Sequence, residues 1–241
     1  MKIGIVIPCY NEENRLNIKE FRNFISLNQE FKFCFVNDGS TDKTLDVIES
    51  LHKEFSEKVF VYNQTVNKGK AEAVRLGLNS FAEFEFIEYI GYMDADLATP
   101  LSELLSIQNL IMYKGKNIIF GSRIIHLGAK VKRNFLRFIF GRIFATIVSR
   151  WILKLPIYDT QCGFKFFKKL ELLPLISDSF KSKWFFDIEI FKRYNQKYGP
   201  NYLVDNGYEY FLETWEDKIG TKITVLDFLK TPIELIKLKL I

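Results

Sequence analysis

Short apolar runs alternating with helix-length segments constrain this chain more than any other feature. The runs are Lys2–Pro8, Phe31–Asn37, Val59–Asn63, Phe86–Met93 and Asn117–Ser122. Between them, Glu13–Leu27, Thr41–Phe55, Lys70–Phe81 and Leu101–Tyr113 are predicted helices. Strands that alternate with helices of this length build βαβ units, and βαβ units build a mainly parallel sheet with helices on its faces. The expected class is therefore α/β. Ligands of such a sheet bind beyond the carboxyl ends of its strands, so chemistry is to be sought in the loops that follow the runs.

The loop after the fourth run is Asp94-Ala95-Asp96. Two carboxylates one residue apart form a compact set of hard oxygen donors, suited to Mg²⁺ or Mn²⁺ carrying a diphosphate. Standing alone, such a pair would more often be only a helix cap or part of a solvated loop. Here it has company. Ile7-Pro8-Cys9-Tyr10-Asn11-Glu12 follows the first run, Val36-Asn37-Asp38-Gly39-Ser40-Thr41-Asp42 ends the second, and Asn67-Lys68-Gly69-Lys70 opens a helix. A tyrosine face, an acid able to accept from a base N–H and a glycine-containing helix start are what nucleotide binding requires. Asn67–Lys70 is not a P-loop, because GxxxxGK[ST] is absent.

Composition excludes several classes. The 241 residues suffice for one large domain, or one domain with an appendage. A net charge of +5, with no RNP-type or zinc-finger pattern, does not point to nucleic acid. With only His52 and His126, a His-rich zinc site is excluded. Cys9, Cys34 and Cys162 form no CxxC and no even-numbered framework, which suits a reducing compartment, and Cys9 and Cys34, in predicted buried strands, are expected as small hydrophobes. The chain opens directly on a strand, so no secretory signal is expected. No window of ~18–20 residues is free of charge, so no membrane span is expected.

The second half changes character. Lys130–Leu155 is aromatic, aliphatic and punctuated by arginine. As one straight helix it would gather Arg133, Arg137, Arg150 and Lys154 within an arc of roughly 140°, with Arg142 pointing away. Such a helix suits a membrane interface, or a sheet face with snorkelling arginines. A short strand, Phe164–Phe167, and a helix, Phe185–Tyr198, are predicted next. Near the end, Thr231-Pro232-Ile233-Glu234 is a helix start, with threonine as cap and proline at the first helical position. From Val225 onward, Leu226, Leu229, Ile233, Ile236 and Leu240 recur at spacings of three and four, beside Lys230, Lys237 and Lys239.

Four segments carry a resemblance: DADLATP at Asp94–Pro100, GSR at Gly121–Arg123, DTQCGFK at Asp159–Lys165 and WFFDIE at Trp184–Glu189. With them the chain resembles the inverting GT-A glycosyltransferases of family 2, from Ile3 to about Ile223. Within that family it is similar to the dolichyl- or polyprenyl-phosphate β-glucosyltransferases. The resemblance implies a GT-A fold: a mainly parallel, Rossmann-like sheet flanked by helices, here with C-terminal amphipathic helices. It implies a catalytic domain at 1–224, its nucleotide-sugar half about 1–123 and its acceptor half about 124–224, followed by an amphipathic tail at 225–241. Pro8, Tyr10, Glu12, Asp38, Gly69 and Lys70 would hold the nucleotide, with Asp94 on its ribose side. Asp96 would be the principal ligand of Mg²⁺ or Mn²⁺, with Asp94 beside it. Arg123, Arg133 and Arg137 would meet the acceptor phosphate, and Asp187 is expected in the catalytic set as a positioning group. The chain departs from the mannosyl branch at Ala98, where a glutamine ligand is more usual. The metal shell is thus one protein oxygen short.

The implied reaction moves a hexose, glucose from UDP-glucose, onto a polyprenyl or dolichyl phosphate. A phosphate acceptor needs no general base, since its second pKa near ~6 leaves it mostly dianionic at neutral pH. It needs cations and positioning. The expected setting is the cytoplasmic side, peripheral on the inner face of the membrane, with an anchoring partner or a homo-oligomer left open. Two alternatives stand beside this one: a glycan or lipid-linked saccharide as acceptor, and a non-catalytic nucleotide-sugar-binding protein.

Overall fold

The computed structural model describes residues 1–133, 135–218 and 234–235, with the backbone alone at 135–137 and 140. The first half runs β1 (Lys2–Cys9), α1 (Ile18–Leu27), β2 (Phe31–Asp38), α2 (Thr44–Glu54), β3 (Val59–Gln64), α3 (Lys70–Ser80), β4 (Ile87–Met93), α4 (Glu103–Lys114) and β5 (Ile118–Ser122). The second half adds β6 (Lys130–Lys132), α5 (Phe135–Ile147), β7 (Phe164–Lys168), α6 (Lys169–Leu172), α7 (Phe186–Tyr198), α8 (Tyr202–Asn206), β8 (Gly207–Phe211) and β9 (Thr214–Glu216).

The main sheet has the order β3-β2-β1-β4-β7-β5-β8. Its β3, β2, β1 and β4 are parallel neighbours, as are β5 and β8, whereas β7 is antiparallel to both β4 and β5. Side chains alternate across each strand. Ile3, Ile5 and Ile7 enter one core with Phe21, Phe33, Phe35 and the inner side of α4. Val6, Cys34, Val36 and Tyr92 enter the other, with α3 and α7. Both faces are covered, which is why the strands read as nearly unbroken apolar runs. Phe21 meets Phe33 and Phe35 edge-on at 6.0 and 5.1 Å, so part of the high phenylalanine content is an aromatic core beneath α1.

Two predicted elements differ from the structure. The first helix begins at Ile18, not Glu13, because Asn17 caps it by accepting from the Glu20 amide. Upstream, Glu12 N donates to Thr44 Oγ1 and Asn11 N to Ser40 Oγ, which holds 11–16 as a turn against the β2–α2 loop. Lys130–Leu155 is not one helix. Lys130–Lys132 pairs with β9, α5 follows, and a wide π turn at Val148–Leu153 ends on left-handed Lys154. Arg133 and Lys154 therefore lie outside α5, and the arc expected for them with Arg137 and Arg150 does not form. The terminal helix expected at 232–241 lies outside the described residues, except that Glu234 and Leu235 are helical and Leu235 packs against the α3–α7 side of the core.

Candidate active site

The carboxyl ends of β1, β2 and β4 open onto a cleft of about 600 Å³. Pro8, Tyr10, Glu12, Asp38, Gly69, Lys70, Asp94, Asp96 and Arg123 all line it, together with Arg15, Lys183, Trp184 and Trp215. Nine expected residues from separate parts of the sequence thus converge on one cavity. Arg133 and Asp187 are not among its lining residues, and the Arg137 side chain lies outside the described residues.

Asp94 leaves β4 at the floor of the cleft. Gly163, just before β7, is pressed against it: a Cβ there would sit 2.4 Å from Asp94 Oδ2. Leu97 closes the turn in the left-handed region at φ 52°, a conformation that costs a branched residue about 1 kcal/mol or more and persists only where packing holds it. Leu97 is buried in the α4-side core. Ala98 N donates to Asp96 Oδ1 at 3.0 Å, which aims that carboxylate, and the Ala98 carbonyl is taken by Glu216 N of β9.

Each acid has a cation from another element. Lys70 Nζ, at the first position of α3, donates to Asp94 Oδ1. Arg15 Nη2 lies 3.0 Å from Asp96 Oδ2, and its Nε lies 3.5 Å from Glu12 Oε2. Burial pulls the Lys70 ammonium down, but Asp94, Asp187 and Asp96 outweigh it and hold the group above its ordinary pKa. Arg15 was not expected from the sequence. It looked like one more charge in a helix, and only the turn at 11–16 brings it over Asp96.

Asp38 was expected to accept from a nucleobase. The structure buries its carboxylate and points it at the α3 start: Lys68 N and Gly69 N donate to it at 2.8 Å each, and Gln64 Nε2 at 3.2 Å. Gly39, at φ 65°, permits the close pass, since a Cβ there would meet Asn67 N at 2.4 Å. Asp38 thus builds the Asn67–Lys70 corner as well as lining the cleft.

On the other wall, Arg123 and Asp159 form a two-pronged pair, Nε–Oδ2 at 2.7 Å and Nη2–Oδ1 at 2.9 Å, closed by Arg123 N at 3.1 Å. Burial alone would raise the Asp159 carboxyl. The charge and hydrogen bonds of Arg123 outweigh it and hold the group far below the usual carboxylate range. The guanidinium lies 5.4 Å from the Trp215 ring, and that of Arg133 lies 5.8 Å from the same ring. Burial, then the neighbouring Arg123, holds Arg133 below its ordinary pKa. Glu209 of β8 accepts from Tyr158 N and Asp159 N, at 2.8 and 2.7 Å, and so fixes the loop that presents Asp159. Cys162 is buried, and burial pushes its thiol up to about 12, which excludes a thiolate nucleophile at neutral pH.

Asp187 lies behind the floor. Its Oδ1 accepts from Lys165 Nζ at 2.6 Å and from the Tyr92 hydroxyl, and all three side chains are buried. A carboxylate committed in this way is a framework group behind the cleft. Glu189 accepts from Lys181 N and Ser182 N and pairs with Arg193 at 2.7 Å, which shapes the loop carrying Lys183 and Trp184.

Among the described residues no group of three or more His, Cys, Asp or Glu side chains is placed to hold a metal. The expected donors are the carboxylates of Asp94 and Asp96, which both line the cleft. Two carboxylates at an open cleft fit a hard cation that takes its other oxygens from a diphosphate and water, the usual habit of Mg²⁺.

The sequence pattern of glycosyl transferase family 2 matches residues 4–194. The chain belongs to that family. This family 2 glycosyltransferase is 30% identical to a dolichyl-phosphate β-glucosyltransferase of Trichomonas vaginalis, over 98% of its own length and 72% of the relative's. It is 31% identical to the human dolichyl-phosphate β-glucosyltransferase, over 78% of its length and 61% of that protein's. The chain thus spans about seven-tenths of the first relative and three-fifths of the second. The fold matches that of glucosyl-3-phosphoglycerate synthase from Mycobacterium tuberculosis, solved with Mn²⁺, UDP and glucosyl-3-phosphoglycerate. The TM-score is 0.68 at 15% identity, covering 99% of this chain and 78% of that one. The GT-A fold expected from the sequence is the fold observed.

Proposed function

We propose that this cleft transfers glucose from UDP-glucose to a polyprenyl or dolichyl phosphate, with inversion at the anomeric carbon. The observation that carries the reading is that one cleft joins an acid pair, Asp94 and Asp96, to a buttressed arginine, Arg123. The first suits a donor diphosphate and the second an acceptor phosphate. The relatives named for transfer to dolichyl phosphate support the acceptor. The fold neighbour solved with Mn²⁺ and UDP supports a divalent metal and a uridine donor.

Tyr10 and Pro8 would flank the base, and the Asn67–Lys70 corner would bind the diphosphate through the α3 amides and the Lys70 ammonium. Asp94 and Asp96 would hold Mg²⁺ or Mn²⁺, which when bound neutralises charge on the departing UDP. Arg123 binds and orients the acceptor phosphate. An acceptor oxygen attacks the anomeric carbon as the bond to the β-phosphate oxygen breaks, and UDP leaves. The acceptor arrives as a dianion, so no proton moves to the protein. Asp187 and Lys165 brace the floor beneath Asp94. Residues 1–224 form the catalytic unit in this reading, the donor side running to about 123, with 225–241 as an appended tail. A lipid-linked acceptor would bring the enzyme to a membrane surface, where we place it peripherally; no helix among the described residues is long and apolar enough to cross a membrane.

The test is transfer from a panel of nucleotide sugars, with Mn²⁺ or Mg²⁺, to a short polyprenyl phosphate. UDP-glucose is expected to be the preferred donor and polyprenyl phosphate the preferred acceptor. Preference for GDP-mannose, or for a glycan acceptor, would replace this reading.

A further inference from the structure

The two cations seated on the acid pair have a use of their own. Lys70 holds Asp94 from the start of α3, and Arg15 holds Asp96 from the 11–16 turn. The four side chains stand at the cleft and are partly exposed. The acids are the fixed partners: Asp94 is backed by Gly163, and Asp96 Oδ1 is aimed by Ala98 N. The cations are the movable ones, on long flexible stems. Lys70 stands at a helix N-terminus, where an anion is favoured. Arg15 has a second carboxylate, Glu12, within 3.5 Å, on which to rest when it leaves Asp96.

We propose that Lys70 and Arg15 are exchangeable counter-ions: each holds its acid until a nucleoside diphosphate draws the cation across, and the freed carboxylates then take the divalent cation. The proposal rests on the metal–nucleotide reading of this cleft. A divalent cation arriving alone has to displace an ammonium and a guanidinium. One arriving with a diphosphate finds both already drawn to the phosphates. Metal and nucleotide therefore strengthen each other's binding, and by linkage each does so by the same factor.

Binding, not turnover, tests this. Mn²⁺ alone, UDP alone and the two together are titrated by electron paramagnetic resonance and calorimetry against the full chain, Lys70→Met, Lys70→Arg and Lys183→Met. Lys70→Met is expected to bind Mn²⁺ alone about threefold or more tightly than wild type, from loss of a partly exposed ion pair. The same variant should bind UDP alone more weakly, and the mutual strengthening should shrink. Lys70→Arg should restore both. Lys183 also lines the cleft but makes no ion pair with either acid among the described residues, so Lys183→Met should leave Mn²⁺ alone within about twofold. Arg15→Gln should act on Mn²⁺ in the same direction as Lys70→Met. If Lys70→Met leaves Mn²⁺ affinity unchanged or weaker, or Lys183→Met tightens it equally, the exchange is wrong while the site reading stands. A wild-type chain that binds no UDP, with Mn²⁺ or without it, overturns both.

Discussion

The Arg123 guanidinium is held by Asp159 through two charge-assisted bonds, and removing the arginine strands a buried carboxylate, while removing the acid strands a half-buried guanidinium. Removing one member of such a pair costs about 3–5 kcal/mol. Arg123→Ala is thus a stability mutation as well as a change to the proposed acceptor site, and Asp159→Asn is the more informative change. The folded Asp159 carboxyl lies far below its unfolded value of ~3.9. The stability it contributes is present above that value and drains away as pH falls below it. Urea midpoints of wild type and Asp159→Asn should therefore differ most at pH 6–7, and the gap should begin to narrow below about pH 4 and keep narrowing as the pH falls further. A gap that stays constant through that range would show that the charge of Asp159 is not what matters. Asp96 is a contrasting case: it is partly exposed and its pair with Arg15 is partly exposed too, so it is expected to add little to stability.

At the scale of elements, Glu209 is worth testing. It sits on β8, a strand absent from the sequence reading, and accepts two backbone N–H groups of the Tyr158–Asp159 loop. Glu209→Ala leaves those donors unmade, at about 1–3 kcal/mol. For a chain of this size the melting temperature should fall by roughly 2–4 °C per kcal/mol. Acceptor affinity should fall while UDP affinity holds. An unchanged melting temperature, or an equal loss of UDP binding, would detach Glu209 from this role. The elements that were legible from sequence are those whose burial is uniform. β1, β2 and β4 show long apolar runs because both their faces are covered, and the acids at their ends followed from that. β8 was missed because Tyr208, Glu209 and Tyr210 look like a polar surface loop. What fixes Glu209 there is a partner some 50 residues away in the chain. The antiparallel return of β7 between β4 and β5 was equally invisible, since a short run such as Phe164–Phe167 carries no direction. Yet that return sets Gly163 against Asp94. Lys130–Leu155 misled because its apolar spacing continues through β6 and the π turn, and no proline or glycine marks either boundary.

Across the whole molecule, the exposed face of α5 and its π turn is the surface that a lipid acceptor makes intelligible. Ile139, Ile143, Ile147 and Trp151 follow one another at intervals of four and all stand exposed, Trp151 at 73%. On the other side of the same segment Ala145 and Val148 are buried, and Phe144 stacks on Phe185 at 5.0 Å. The segment is packed along one side and presents an apolar ridge along the other, with exposed Arg150 beside it. An indole at the end of such a ridge suits the level of lipid headgroups. A chain of net charge +5 is drawn to an anionic surface by about 1 kcal/mol for each basic residue close to it. The tail competes for this role, but the one hydrophobic side chain described in it, Leu235, packs against the core. We therefore expect the ridge, more than the tail, to govern membrane binding. Ile143→Asp with Trp151→Glu should abolish flotation with anionic vesicles, while truncation after residue 224 should leave most of it. High salt should weaken the wild-type interaction without removing its apolar part. The same double variant should lose activity on polyprenyl phosphate embedded in vesicles yet keep it on a short, water-soluble analogue, because the cleft itself is untouched. Equal loss on both acceptors would place the ridge in the folding core of the enzyme, and undiminished flotation would return the membrane contact to the tail.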